Sequence, residues 1–171
     1  IFGLCTSVSA MIGAYLGGRI DDRLGSLVTL KVSVFMTCLI LLALVSIQTD
    51  QIGFWFRVST QPIWDFPYFT TLSEVVYFAT NQVFALFFVT ALSASRTLMA
   101  KICPPEKATQ FFGLYGLSGS VTAFLAPLLV ATTTQWFDSQ RAGFASLVVL
   151  IAVGGVMLFA VTDVRSETPT T

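Results

Sequence analysis

The chain of 171 residues contains no histidine and few charges, because nine Lys and Arg plus nine Asp and Glu make up only 11% of it. The absence of histidine removes the usual general base and the commonest metal ligand. The three cysteines, Cys5, Cys38 and Cys103, are too far apart for metal-type spacing, and no disulfide framework is implied. We therefore expect no metal, no cofactor and no enzymatic activity. A formal net charge of zero also argues against nucleic-acid binding.

Apolar residues dominate, at 55% of the chain with a mean hydropathy of +0.82. About 20 apolar residues are needed to cross the hydrocarbon core as a helix. Five stretches approach this length: 1–18, 27–47, 73–95, 111–134 and 142–161. They are continuously apolar, whereas the strands of a membrane barrel alternate. The sequence therefore predicts an all-α, polytopic transmembrane helix bundle of about five helices over residues 1–162, with a tail at 163–171.

The distribution of basic residues predicts how this bundle is oriented. Positive charge is retained on the cytoplasmic side of a membrane. Seven of the nine basic residues fall on one side: Arg19, Arg23, Lys31, Arg96, Lys101, Lys107 and Arg165. Arg57 and Arg141 fall on the other side, together with all three tryptophans, which favour the headgroup layer. We expect a multi-pass protein of the bacterial inner membrane with a cytoplasmic C-terminus, and an aromatic segment at 49–72 in the outer interface.

A charged stretch, Gly-Arg-Ile-Asp-Asp-Arg-Leu-Gly, separates the first two apolar runs. Its glycines, Gly18 and Gly25, would allow a sharp turn, and a carboxylate at Asp22 is favoured near a helix N-terminus. The pattern G-x-x-x-D-R-x-G resembles the cytoplasmic loop motif of the major facilitator superfamily. That resemblance implies that Gly18, Asp22, Arg23 and Gly25 form a clamp that favours the outward-facing state. A generic hairpin that follows the charge rule is the alternative.

The third apolar run contains the polar groups that are most costly to place in hydrocarbon. Asn81 and Gln82 are adjacent, and unpaired amides in lipid cost several kcal/mol. Adjacent residues point about 100° apart on a helix, so we expect one amide to pack and the other to line a cavity. Either residue is a candidate for the substrate path, and contact between helices is an equally good role. Glu74 is a surface carboxylate or, alternatively, a proton-coupling group.

The fourth run combines small residues with a proline. Residues spaced by three or four place a small-residue stripe on one face, which favours close helix packing. The stripe consists of Gly113, Gly116, Ser120 and Ala123. Pro127 should kink the helix. Tyr115 and Ser118 are further candidates for contact with a ligand.

Longer segments resemble one branch of the facilitators. They are Ala-Leu-Ser-Ala-Ser-Arg-Thr-Leu-Met-Ala-Lys at 91–101, Pro-Pro-Glu at 104–106, Phe-Phe-Gly-Leu-Tyr at 111–115 and Ser-Gln-Arg-Ala-Gly at 139–143. These segments resemble the vacuolar amino-acid effluxers and their bacterial relatives. Where relatives often have glycines and a glutamine, this chain has Phe88, Val89 and Thr90.

The family resemblance implies that the chain is a fragment holding the last five of twelve helices. Its partners would be a small-molecule solute, the lipid bilayer and a missing N-terminal half of the same transporter. The implied function is secondary active transport of a small solute, amino acids or another metabolite, by rocking of two bundles around a central site. The fragment would be inactive alone. A non-transporting membrane scaffold or receptor-like protein is the alternative.

Overall fold

The computed structural model describes residues 2–47, 51–52, 56–57 and 71–161. Its five helices are α1 (Phe2–Leu24), α2 (Ser26–Ser46), α3 (Leu72–Ile102), α4 (Ala108–Phe137) and α5 (Gln140–Phe159). A short 3-10 turn, Pro105–Lys107, precedes α4. Two strands of two residues each, β1 (Gln51–Ile52) and β2 (Phe56–Arg57), pair antiparallel between α2 and α3. Apart from these strands, the predicted interfacial segment at 49–72 lies mostly outside the described residues, as does the predicted tail at 163–171.

The predicted class, an all-α helix bundle of membrane-spanning length, is confirmed. Within the described residues, four helical segments are long and apolar enough to cross a membrane: Ser26–Ser46, Leu72–Ile102, Pro105–Phe137 and Gln140–Phe159. Helix α1 has 23 residues but is not among the four. Its last six residues include four charges, and hydroxyl side chains occur in its first half, so the helix is less apolar than the others.

The predicted turn over Gly18–Gly25 is wrong in its extent. Helix α1 continues through Leu24, and Gly25 alone connects α1 to α2. Gly18 is therefore a helical residue, and the charged side chains project from the end of a helix. Gly25 makes the turn, with φ of 87°, while its N–H donates to the Asp21 carbonyl at 2.9 Å. A positive φ suits glycine because it has no Cβ.

The stretch 96–110, between the third and fourth apolar runs, is also mostly helical. Helix α3 has 31 residues and ends at Ile102. Residues 96–102 include Arg, Leu, Met, Ala and Lys, which are strong helix formers, so the helix continues past the apolar run. Pro104 and Pro105 then stop it, because a residue before proline is disfavoured in the α region. The basic residues Arg96 and Lys101 are consequently fixed on a helix.

Helix α3 is the centre of the packing: it contacts α1 and α2, while α2 contacts α5 and α5 contacts α4. The buried face of α2 combines leucines with small hydroxyl residues, among them Thr29 and Thr37. These hydroxyls donate to the carbonyl four residues earlier, from Thr29 to Gly25 at 3.0 Å and from Thr37 to Ser33 at 2.7 Å. Small, internally satisfied side chains allow two helices to approach closely in lipid.

A lysine on α2 binds the C-terminal end of α5. The Lys31 ammonium group donates to the carbonyls of Val161 at 2.6 Å and Phe159 at 3.4 Å. The last carbonyls of a helix have no partner within the helix, and a cation near them is favourable.

We expect Lys31→Met to loosen the last turn of α5 at a cost of about 1 kcal/mol, because the carbonyls lose a charged donor. Hydrogen exchange at residues 155–161 should become faster, while exchange in α3 stays unchanged. Lys107→Met, at an exposed position before α4, is the matched control. Equal exchange rates in wild type and Lys31→Met would contradict the role of Lys31.

Candidate functional site

Helices α1 and α3 approach so closely that two glycines are required between them. A Cβ on Gly13 would overlap the Leu86 carbonyl and lie 2.8 Å from the Leu86 Cα. A Cβ on Gly17 would lie 2.7 Å from the Thr90 Cγ2. The Thr90 hydroxyl is shared between the carbonyls of Gly13 at 2.8 Å and Leu86 at 2.9 Å. Thr90 is therefore the residue that closes this contact.

Gln82 joins the same two helices through both ends of its amide. The Ser9 hydroxyl donates to the Gln82 Oε1 at 3.0 Å, and the Gln82 Nε2 donates to the Thr6 hydroxyl at 3.4 Å. All three side chains are half-buried. Gln82 is ten residues into α3, which places this cluster about 15 Å from the start of the helix. We call Thr6, Ser9 and Gln82 the polar cluster.

Asn81 points away from the polar cluster into a cavity of about 560 Å³ between α2, α3 and α5. Tyr77, Gln140 and Arg141 are the other polar residues of its wall, and the rest of the wall is apolar. The Arg141 Nη2 donates to the Ile47 carbonyl at 3.5 Å. No hydrogen bond joins the Asn81 amide to another described residue. The two adjacent amides thus have different surroundings among the described residues, since one is bonded across helices and the other lines the cavity.

Glu74 is exposed in the first turn of α3. Its backbone N–H donates to the Thr71 hydroxyl at 3.4 Å, so Thr71 is the N-cap of the helix. A carboxylate in the first turn is stabilised by the helix dipole. This position gives Glu74 a structural reason to be acidic, and its proton-coupling role stays a prediction.

Tyr115 connects α4 to α3, whereas Ser118 bonds within its own helix. The Tyr115 hydroxyl and the Ser95 hydroxyl are 2.7 Å apart. The Ser118 hydroxyl is exposed and donates to the Tyr115 carbonyl at 2.8 Å. Neither residue lies with Asn81 or with Gln82 in the described contacts, so the structure does not bring the five path candidates into one site.

An acidic residue that the loop motif does not specify is buried at the charged end of the bundle. Asp21 is 5% exposed, and its Oδ2 lies 3.5 Å from the Lys101 ammonium group of α3. Lys101 also donates to the Ser26 hydroxyl of α2 at 2.7 Å. The Asp21 Oδ1 is buried without a hydrogen-bond partner among the described residues. Asp21, Ser26 and Lys101 thus form an ionic cluster that joins α1, α2 and α3.

The residues that the resemblance assigns to the loop motif are not part of this ionic cluster. Asp22 and Arg23 are exposed at the end of α1, and a Cβ on Gly18 would meet no atom within 4 Å. In the described residues, the ion pair at this end uses Asp21 and not Asp22. The clamp role of Gly18, Asp22, Arg23 and Gly25 therefore stays a prediction.

The small-residue stripe of α4 faces no neighbour in the described part of the chain. A Cβ on Gly113 or Gly116 would meet no atom within 4 Å, and Ser120, Ala123 and Pro127 are exposed. No described residue of α4 is buried. The stripe could pack only against residues that the structure does not describe, so its packing role stays a prediction.

The sequence of α1 contains a four-residue spacing that indicates both of its contacts with α3, the close glycine contact and the ion pair. Gly13, Gly17 and Asp21 are spaced by four residues, so they lie on one face of the helix. The pair Gly13 and Gly17 has the small-xxx-small spacing that favours close packing. The glycines contact Thr90, and Asp21 pairs with Lys101. Both partners lie more than 70 residues further along the chain, so no local pattern in the sequence indicates these pairings.

The two faces of α3 differ in their chemistry. Toward α1 it offers hydroxyl and amide groups, which can bind a solute by hydrogen bonds. Toward α2 and α5 it offers the Asn81 amide, which shares an otherwise mostly apolar cavity with Arg141 of α5. Across residues 2–47, 51–52, 56–57 and 71–161, no three Cys, Asp or Glu side chains lie close enough together to hold a metal ion.

Comparisons with known proteins identify the family of this chain. Residues 1–170 match the family described as vacuole effluxer Atg22 like. A 72-residue segment is 35% identical to a protein of Bacillus subtilis (strain 168) described as the uncharacterized MFS-type transporter YxiO. That segment covers 42% of this chain and 17% of the relative. The chain therefore matches only a small part of the relative's length. No solved structure matches the chain.

Proposed function

The chain belongs to the vacuole effluxer Atg22-like family, and from this membership we propose that it forms part of a secondary transporter of a small solute. The transporter would work by alternating access, with two helical bundles rocking around a central site. This chain would supply helices of one bundle, and preceding helices of the same transporter would supply the other. The orientation proposed from the basic residues places the C-terminus in the cytoplasm of a bacterial cell.

The polar cluster is the observation that carries this proposal. Thr6, Ser9 and Gln82 are half-buried, and Gln82 lies about 15 Å into α3, a helix of membrane-spanning length. Polar groups at this depth face other protein or a water-filled path, since exposure to hydrocarbon is costly. We place the solute path on the α1–α3 face, with Gln82 and its hydroxyl neighbours as hydrogen-bonding groups. Amino acids are the proposed solutes because of the family resemblance.

Coupling to an ion requires a group that changes its charge or its ligands during transport. Glu74 is the acidic residue of α3, and its exposed position at the helix start would give it contact with water. We retain it as the proposed proton carrier of this chain. Loss of pH-gradient dependence in Glu74→Gln, with downhill flux preserved, would support that role.

Substitution of Gln82 tests the placement of the path. We expect Gln82→Leu to reduce flux at least tenfold, which corresponds to a loss of about 1.4 kcal/mol of binding free energy in the transition state. The complete transporter would be reconstituted in vesicles loaded with a mixture of the common amino acids, and release would be followed by amino-acid analysis. Thr80→Val is the matched control, because the Thr80 hydroxyl donates to Val76 within the same helix.

Asn81→Leu locates the path relative to α3. A larger loss in Gln82→Leu than in Asn81→Leu supports the α1–α3 face. The reverse order would move the path into the cavity between α2, α3 and α5. Absence of flux for the wild type with every amino acid tested, together with a stable protein partner, would favour the membrane scaffold instead.

A further inference from the structure

Three contacts follow one another along the seam between α1 and α3. The polar cluster comes first, and the close contact of Gly13 and Gly17 with α3 comes second. The ion pair of Asp21 with Lys101 comes third. At 1.5 Å per residue, the close contact ends about 6 Å from Ser9 on one side and about 6 Å from Asp21 on the other. The polar cluster and the ion pair therefore lie on opposite sides of the close contact.

The close contact leaves α1 little freedom to move toward α3 or away from it. Gly13 faces the backbone of Leu86 without room for a methyl group, so further approach would make backbone atoms overlap. Movement away would break the hydrogen bond of 2.8 Å from the Thr90 hydroxyl to the Gly13 carbonyl. Tilting of α1 about this point preserves both the contact and the hydrogen bond.

Both ends of the seam contain longer contacts than its middle. The Gln82 Nε2 is 3.4 Å from the Thr6 hydroxyl, whereas about 2.9–3.0 Å is usual for an N–H donor and an oxygen. The Asp21 Oδ2 is 3.5 Å from the Lys101 ammonium group, whereas about 2.7–2.9 Å is usual between charged partners. The Asp21 Oδ1 is buried and has no hydrogen-bond partner among the described residues. Each end can therefore become shorter than it is.

Helix α1 can transmit movement from one end of the seam to the other. It is an unbroken α-helix from Phe2 to Leu24, and such elements move as rigid bodies. When a rigid helix tilts about a fixed point, one end approaches its neighbour while the other end moves away. A shorter contact between Asp21 and Lys101 would therefore lengthen the contacts of the polar cluster, and the reverse is also true.

We propose that Asp21 and Lys101 are positioning residues for the polar cluster. Their attraction tilts α1 about the close contact and holds the polar cluster partly open, so that a solute can enter beside Gln82. The ion pair dominates because a charge-assisted contact is roughly twice as strong as a neutral one. When the pair is lost, the cluster closes and Gln82 binds its hydroxyl neighbours more tightly. This inference rests on the proposed function, because it treats the polar cluster as part of the solute path.

Distances between labelled pairs test the tilt without any transport. In the complete transporter, with the three native cysteines replaced by serine, nitroxide labels would be attached to cysteines introduced at exposed positions of both helices. The pairs are Val8 with Val83 beside the polar cluster and Leu24 with Ile102 beside the ion pair. Electron paramagnetic resonance would measure both distances. We expect Lys101→Met to lengthen the second pair by about 3 Å, the diameter of one entering water molecule, and to shorten the first pair.

Two further variants of α3 serve as controls for Lys101→Met. Lys101→Arg keeps the positive charge, so both distances should stay as in the wild type. Arg96→Gln removes an exposed basic side chain of the same helix and should change neither distance. In Lys101→Met, an increase at both ends would mean that α1 loosens as a whole, and an unchanged distance at the polar cluster would mean that the two ends are independent. Either result would overturn the proposal.

Transport kinetics separate a positioning role from a general loss of folded protein. The solute measured would be the amino acid that the reconstituted wild type releases fastest. We expect Lys101→Met to raise its KM about fivefold and to leave the maximal flux unchanged, because apparent affinity falls in proportion to the open fraction. An unchanged KM with a lower maximal flux would overturn the positioning role. If the wild type moves no amino acid, the proposed function fails, and the label distances still decide whether the ion pair tilts α1.

Discussion

Gly13→Ala is expected to destabilise the bundle by about 3 kcal/mol, the upper range for an overpacked contact. The new methyl group would overlap the Leu86 carbonyl, which belongs to the backbone of α3 and cannot rotate away. Separation of α1 from α3 would also break the bond from Thr90 to the Gly13 carbonyl, and both hydrogen bonds of Gln82 would lengthen. Thermal unfolding of the purified protein in detergent, followed by fluorescence-detected size-exclusion chromatography, would measure the loss.

Two glycines of the same helix provide matched controls for Gly13→Ala. A Cβ on Gly3 or Gly18 would meet no atom within 4 Å. Alanine is favoured over glycine inside a helix by up to about 1 kcal/mol. Gly3→Ala and Gly18→Ala should therefore be neutral or slightly stabilising, opposite in sign to Gly13→Ala. A similar loss in all three variants would show that α1 does not approach α3 at Gly13.

Lys101→Met is expected to destabilise the charged end of the bundle by about 2 kcal/mol. Removing one partner of a fully buried ion pair costs about 3–5 kcal/mol, because the other charge is left uncompensated. The Lys101 side chain is 54% exposed, so solvent screening reduces this cost. The Asp21 carboxylate, 5% exposed, would lose its paired cation. The same thermal unfolding assay would measure the change.

A double-mutant cycle separates the ion pair from other effects of Lys101. Asp21→Asn removes the buried charge, so the combination with Lys101→Met should be less destabilising than the sum of the two single variants. Asp22→Asn is the neighbouring control, and we expect a change below about 0.5 kcal/mol because Asp22 is exposed. If Asp22→Asn were the more destabilising of the two acidic substitutions, the assignment of the buried charge to Asp21 would be wrong.

The helices of this protein were predictable because apolar runs of membrane length have few alternative structures. The boundaries were less predictable. The first helix continues through Arg19, Asp22 and Arg23, since charged side chains at a helix end can reach water while the backbone stays helical. Hydropathy marks where a helix leaves the hydrocarbon, whereas Gly25 and Pro104 mark where the helices stop.

The candidate site was predictable in part. Composition identified Asn81 and Gln82 as groups that need polar surroundings, and helical geometry separated their directions. The sequence could not show that α1 accepts Gln82 while α2 and α5 surround Asn81, because those contacts join residues far apart in the chain. The loop motif likewise pointed to Asp22. The residue that pairs with Lys101 is instead Asp21, because α3 packs against it and buries it.

The two sides of α3 differ in polarity. The polar cluster lies between α1 and α3, and the most apolar helices, α2 and α5, lie on the other side. A transporter needs this difference, because one side must contact a hydrated path while the other contacts lipid. The proposed solute path follows from this asymmetry.

Water access across the bundle is the most direct test of the solute path. In a complete transporter with Cys5, Cys38 and Cys103 replaced by serine, Ser9→Cys places a thiol in the polar cluster and Val153→Cys places one on the apolar side. A charged, membrane-impermeant methanethiosulfonate reagent would be added to both faces of reconstituted vesicles. We predict that Ser9→Cys reacts and Val153→Cys does not. Protection of Ser9→Cys together with rapid reaction of Val153→Cys would contradict the proposed path.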